Sequence, residues 1–219
     1  ARRVPVGAVG AGAADAVGAE AAGAVGAWGG APTTVARMST RRTYLLVDGE
    51  NIDATLGQSI LGRRPNPEER PRWQQLLHAM EDEWEQPVTA LFFLATNGEV
   101  PMSFVQALLA MNYKPIPLSG EGKIVDIAIQ RTAEALLERD ADVALVSHDA
   151  DFVPQMTALA QDPQRRLAAV GFGELMAGEL RRVPGIEVLD LEYDIEAFKA
   201  PLPRVRIIDI ADFNPLDFI

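Results

Sequence analysis

Four aspartates at unusual positions carry the chemistry this chain can do. Asp149 and Asp151 fall in the turn Ser147-His148-Asp149-Ala150-Asp151, directly after an apolar run, Val143 to Val146, that reads as a buried strand. Asp48 closes a second such run, Thr43-Tyr44-Leu45-Leu46-Val47, just ahead of Gly49. Asp126 sits in the first turn of a helix entered through the flexible stretch Ser119-Gly120-Glu121-Gly122-Lys123. In open α/β sheets the ligand crevice lies outside the carboxyl ends of the strands, which is where these acids fall. Carboxylates gathered in one pocket repel each other and lose hydration, so their convergence implies a divalent cation among them. Such a cation orients water, lowers its pKa and stabilises the charge that builds on a phosphodiester under in-line attack.

Each acid taken alone has an ordinary structural explanation. An Asp before Gly suits a plain turn, an Asp in a first helical turn meets the helix dipole, and Asp149 with Asp151 can be an N-cap and its solvated neighbour. Three separate segments ending alike are what favour a shared site. Around the acids, Asn51, Lys123 and Ser147 are candidate substrate-binding residues. Lys123 can pair with a scissile phosphate, and Ser147 can donate to a phosphate or cap the following helix. His148 is better read as a packing residue than as a proton carrier, and His78 as structural. Arg41, Arg42, Arg63 and Arg64 can meet a nucleic-acid backbone, although loop arginines are usually just solvated.

Composition narrows the chemistry. The chain has 219 residues, 48% of them hydrophobic, enough for one full-sized domain with an appendage. With no cysteine and two histidines, thiol catalysis, disulfides and Cys- or His-rich metal sites are excluded. Any metal must be held by oxygen, which points to magnesium, manganese or calcium. The absence of cysteine is compatible with a reducing cytoplasm, the expected location. A formal charge of -11 argues against coating nucleic acid by bulk electrostatics, though not against a nuclease whose site carboxylates hold cations. No apolar run approaches the ~18 residues needed to span a bilayer.

Residues 1–40 differ from the rest. Val6 to Gly30 is almost entirely Ala, Gly and Val, too little apolar area to offset chain entropy, and is expected to be disordered or loosely helical. It makes a poor signal peptide, since Gly is frequent, Asp15 and Glu20 intrude and a Leu-rich core is missing. Met38 ahead of Ser39-Thr40-Arg41-Arg42 suggests that the functional protein begins there. From residue 41 to 193 strands alternate with helices. A helix continues from Asn51 or Asp53 through Ile52, Leu56 and Ile60. Gly62 to Pro71 is an exposed loop, and Trp73, Leu76, Leu77, Met80 and Trp84 recur at helical spacing. Val88 to Leu94 is a strand ending in Ala95-Thr96-Asn97-Gly98, Pro101 to Met111 a helix, and Lys114 to Leu118 an edge strand because of its prolines. Ile124 to Glu138 and Val153 to Gln161 are helical, Leu167 to Val170 is a strand, Glu174 to Arg182 a helix and Ile186 to Leu191 the last strand. That alternation specifies a parallel, doubly wound sheet. Residues 194–219 break the pattern and read as an extended tail that docks on its own domain or on a partner.

Three segments together resemble the motifs of the NYN domain family, the PIN-like nuclease group. They are Leu46-Val47-Asp48-Gly49-Glu50-Asn51, Gly122-Lys123-Ile124-Val125-Asp126-Ile127-Ala128, and Leu145-Val146-Ser147-His148-Asp149-Ala150-Asp151-Phe152-Val153-Pro154. The resemblance covers roughly Thr43 to Tyr193. It implies a PIN-like three-layer α/β/α sandwich with a mostly parallel sheet and a metal-dependent ribonuclease activity. By similarity Asp48, Asp126, Asp149 and Asp151 are the metal-binding acids, with Mg2+ or Mn2+ as cofactor, and Asn51 is a polar contact beside the first. The chain departs from the pattern at His148, where a small residue is usual, at Ile124 in place of a glycine, and at Thr132 in place of a further acid.

The expected function is therefore a metal-dependent endoribonuclease with RNA as partner. The alternative is a nuclease-like module that binds RNA or protein without cutting, with the apolar tail as a surface for another chain or a second copy. A hydrolase working through an aspartyl phosphate is disfavoured, because position 50 is Glu rather than a second Asp two residues after Asp48.

Overall fold

In the computed structural model, residues 41–96, 102–205, 207–208, 210–211 and 213–219 are described. The expectations for residues 1–40, and for the turn at Asn97-Gly98, lie outside them. Six strands form one sheet: β1 (Arg42–Asp48), β2 (Val88–Ala95), β3 (Lys114–Leu118), β4 (Ala141–Val146), β5 (Leu167–Gly171) and β6 (Ile186–Asp190). Their order is β3-β2-β1-β4-β5-β6 and every neighbouring pair is parallel. The proline-bearing β3 takes an edge, where a missing N–H interrupts no central ladder. β4 and β5 are buried along their whole length, as strands covered on both faces must be.

Alternation along the strands sends side chains to two cores. Leu45, Val47, Phe92, Ala144 and Val170 face one side with α1 (Gly49–Thr55), α2 (Trp73–Trp84) and α3 (Met102–Ala110). Leu46, Phe93, Val143, Leu145 and Ala169 face the other with α4 (Ile124–Leu136), α5 (Val153–Leu159) and α6 (Gly178–Arg181). The result is a three-layer α/β/α sandwich, consistent with a PIN-like fold, whose described sheet is wholly parallel. Five residues at helical spacing in α2, from Trp73 to Trp84, are all buried, so the amphipathic stripe seen in the sequence is the face that meets the sheet.

Two helices differ from expectation. The helix after β1 does continue past Leu56, but as a π-helical stretch, Leu56–Leu61. It ends at Gly62, whose φ of 65° lies in the left-handed region. The loop behind it packs so closely that a Cβ on Gly57 would lie 3.0 Å from the Arg63 carbonyl oxygen. The single helix expected from Glu174 to Arg182 is instead a 3-10 turn, Gly173–Leu175, followed by the short α6. The Ala177 N–H donates to the His148 carbonyl at 3.0 Å, and that non-helical bond holds Met176 extended between the two pieces.

After β6 the chain stays on the domain as far as Arg204, 14 residues beyond Asp190. Ile195 and Ala197 are buried in the first core, with Phe198 and Leu202 packed against it. Arg204 is a clamp. Its guanidinium pairs with Asp190 at 2.6 Å, Glu192 at 2.8 Å and Glu174 at 3.2 Å and lies over the rings of Phe172 and Tyr193. Beyond it Val205, Ile207, Ile210, Leu216 and Ile219 are exposed.

Candidate metal centre

The strand order reverses direction at β1 and β4, and in sheets of this kind ligands bind at such a switch point. Register places the site there. Val47 pairs with Val146, so Asp48 and Ser147, the next residue on each strand, emerge side by side. The Ser147 hydroxyl donates to Asp48 Oδ2 at 3.3 Å. It also accepts the Asp149 N–H at 3.3 Å. Ser147 is fully buried, so its hydroxyl is engaged in joining the two strand ends.

Asp126, Asp149 and Asp151 converge. One carboxylate oxygen from each lies within 4.8 Å of the other two. Oxygens bound at 2.0–2.6 Å to a common hard cation stand roughly 4–5 Å apart when they face each other across it, so the spacing suits a divalent ion. Asp126 comes from the first turn of α4. Asp149 caps the 3-10 turn Ala150–Phe152 by accepting the Asp151 N–H at 3.0 Å. Gln130 of α4 donates to the Asp151 carbonyl at 3.0 Å, tying the turn to the helix. Burial raises the pKa of Asp126, opposed by the Lys123 ammonium and aided by the charges of Asp149 and Asp151.

Asp48 stands beside this trio. It is 3% exposed and caps α1 by accepting the Asn51 N–H at 3.1 Å. Burial, with a contribution from the nearby charge of Asp126, pushes its carboxyl up to about 6, against the two hydrogen bonds that favour the anion. A carboxylate held in that state gains from any cation brought to the trio.

Lys123 is the cation the chain itself supplies. Its Nζ hydrogen-bonds Asp151 and lies 3.5 Å from Asp126 Oδ2, and the bond to Asp151 raises its pKa. The side chain is two-thirds exposed, free to swing toward a ligand. Asn51 is committed elsewhere. Its Oδ1 accepts from the His148 backbone N–H at 2.9 Å and from His148 Nδ1 at 2.8 Å.

His148 is the residue whose role the sequence least disclosed. Its Nε2 accepts the Phe172 N–H at 2.8 Å, which fixes the neutral Nδ1–H tautomer, since Nδ1 must then donate to Asn51. Burial lowers its pKa to about 4, the Arg204 charge adding to this and Asp190 opposing it. The imidazole stacks on Phe172 with centroids 5.4 Å apart. Gly171 leaves room for the ring, because a Cβ there would lie 2.7 Å from Nε2. His148 thus ties the turn after β4 to the helix after β1 and to the end of β5. A lone histidine gave no sign of these partners, which stand 97 and 24 residues away.

The other candidates separate from the site. Arg41 pairs with Asp140 and Asp142, and Arg42 bonds Thr89. Both belong to the opposite end of β1, about 20 Å from Asp48 at ~3.3 Å per residue. Arg63 is forked onto Glu69. Thr132 turns back onto the Ala128 carbonyl at 2.8 Å, an ordinary helix-internal bond.

Fold and site together define a parallel α/β protein with a carboxylate cluster at its topological switch point. No family model and no curated protein matches the sequence. Among solved structures it is similar to a crystal structure of a protein of unknown function from Vibrio parahaemolyticus, with a TM-score of 0.57 and 18% identity over 70% of this chain and 94% of that one. At that identity the likeness is one of fold.

Proposed function

We propose that the chain is a metal-dependent endoribonuclease that hydrolyses RNA phosphodiesters, with Mg2+ or Mn2+ held by Asp126, Asp149 and Asp151 and with Asp48 beside them. The observation that carries this reading is the closure of three carboxylates from two distant segments at the strand ends. A bound ion of this kind supplies Lewis-acid stabilisation of the phosphoryl oxygens and a water of lowered pKa. The chain's own residues orient and charge the site. Asp149 is fixed by its cap to Asp151, and Ser147 holds Asp48 against the turn. Lys123, whose ammonium bonds Asp151 and lies 3.5 Å from Asp126, would be free to meet the substrate phosphate if an ion took those carboxylates. Asp151, the exposed member of the trio, faces solvent, where a polymer can approach.

The test is cleavage of single-stranded and structured RNA with magnesium or manganese. Asp126→Asn and Asp149→Asn should each abolish it while leaving the circular dichroism spectrum unchanged. Purified protein that cuts no RNA under these conditions removes the enzymatic reading.

One observation favours a second reading, a module that binds RNA or protein without cutting: Lys123 already neutralises part of the carboxylate charge. Calorimetry with manganese separates the two, since a site that takes up no ion leaves only the module.

A further inference from the structure

A cavity of about 260 Å3 opens on the other side of the Asp48-Gly49 turn from the carboxylates, lined by Glu50, Asp53, Arg70, Trp73, Phe92 and Phe104 among others. Its floor is aromatic. Trp73 and Phe92 meet edge to face at 5.0 Å, and Phe92 meets Phe104 in the same way at 5.4 Å. The ring of Phe92 lies against the backbone of Gly49, where a Cβ would sit 2.4 Å from its edge, so any other residue beside Asp48 would displace this wall. The rim is polar. Arg70 forks onto Asp53 through Nε and Nη2, both at 2.8 Å. Glu50 accepts the Ala95 N–H with one carboxylate oxygen at 2.9 Å.

We infer that this cavity receives one unstacked nucleobase of single-stranded RNA, which sets the substrate class of the carboxylate site next to it. The inference rests on the ribonuclease reading for its substrate and on the cavity alone for its chemistry. A base has apolar faces and a polar edge, matching an aromatic floor under a carboxylate rim. The volume lies just below the ~300–1,000 Å3 of pockets for drug-sized molecules, which suits a single ring system. Base stacking on aromatic side chains is how single strands are gripped, and a base inside a duplex is not free to enter. Gly49 couples the two halves of the site: the residue that ends the metal-facing strand is followed by the one that shapes the base pocket.

Saturation-transfer NMR with guanosine 5′-monophosphate and with ribose 5-phosphate, both in EDTA, tests the pocket without any divalent ion. The base protons of guanosine 5′-monophosphate should receive saturation and ribose 5-phosphate should not bind. Phe104→Leu, which keeps apolar bulk and removes the ring, should weaken nucleotide binding about tenfold, and Asp126→Asn should leave it unchanged. Equal binding of ribose 5-phosphate, or full binding to folded Phe104→Leu, overturns the inference. Nucleotide binding without manganese-dependent cleavage keeps the pocket and removes the nuclease; cleavage without nucleotide binding does the reverse.

Discussion

Replacing Asp48 with Asn should make the metal-free protein more stable while weakening its hold on a divalent ion. In the folded chain burial holds the Asp48 carboxyl at about 6, against 3.8 for the unperturbed group. A carboxyl whose folded pKa is raised favours folding below the unfolded pKa, and that advantage is lost as pH rises through the folded value. Above about pH 7 the buried anion therefore costs the fold about 3 kcal/mol, at 1.36 kcal/mol per pKa unit. Asn carries no charge and keeps an oxygen for the Asn51 N–H. Its NH2 faces Ser147 Oγ, and rearranging that contact costs about 1 kcal/mol. The net expectation is a gain of about 2 kcal/mol at pH 7.5. The difference between the two proteins should shrink by about 2.5 kcal/mol between pH 7.5 and pH 4. Wild-type stability alone would hide this, because His148, held near 4, pushes the other way: its neutral form is favoured by the fold, so stability falls as pH drops from 6.5 toward 4. Urea unfolding of both proteins in EDTA at four pH values isolates the Asp48 contribution. A difference independent of pH, or an Asn variant less stable than wild type at pH 7.5, refutes the reasoning that an uncompensated anion is stored here. Manganese should then raise the stability of wild type more than that of the variant, which keeps the three carboxylates but loses the neighbouring charge.

Four further outcomes follow from the same geometry. Lys123→Met removes the ammonium that competes for Asp126 and Asp151, so manganese should bind several-fold more tightly by calorimetry, while KM for RNA rises. Imidazole 15N NMR should find His148 as the Nδ1–H tautomer with no titration between pH 5 and 8, and Asn51→Ala, which orphans two donors on His148, should cost about 2–3 kcal/mol in urea unfolding and loosen manganese binding. Arg204→Ala leaves Glu174, Asp190 and Glu192 uncompensated in a nearly buried setting, and a loss of about 3–5 kcal/mol is expected, readable as a large drop in thermal midpoint.

The amino-acid order by itself determined the layering. Apolar runs such as Val143 to Val146 demand burial on both faces, the spacing of Trp73, Leu76, Leu77, Met80 and Trp84 demands one buried helical face, and the prolines of Lys114–Leu118 demand an edge. These are local patterns whose physical consequence does not depend on partners far along the chain. The same reasoning singled out Asp48, Asp126, Asp149 and Asp151, because strand ends and helix starts in a parallel sheet share one rim; the last three close into one group. It did not foresee the π-helical stretch after Thr55, nor the break at Met176, where the Ala177 N–H leaves the helix to donate to the His148 carbonyl. Tertiary structure alone decided what the polar residues do once they meet. It set Asp48 beside the trio as a buried, proton-hungry neighbour, spent the Ser147 hydroxyl and the Asn51 amide on holding the turns, and carried Arg41 and Arg42 to the far end of the sheet. Hydrogen bonds and charge pairs between residues a hundred positions apart depend on register and crossover, and no local pattern encodes those distances.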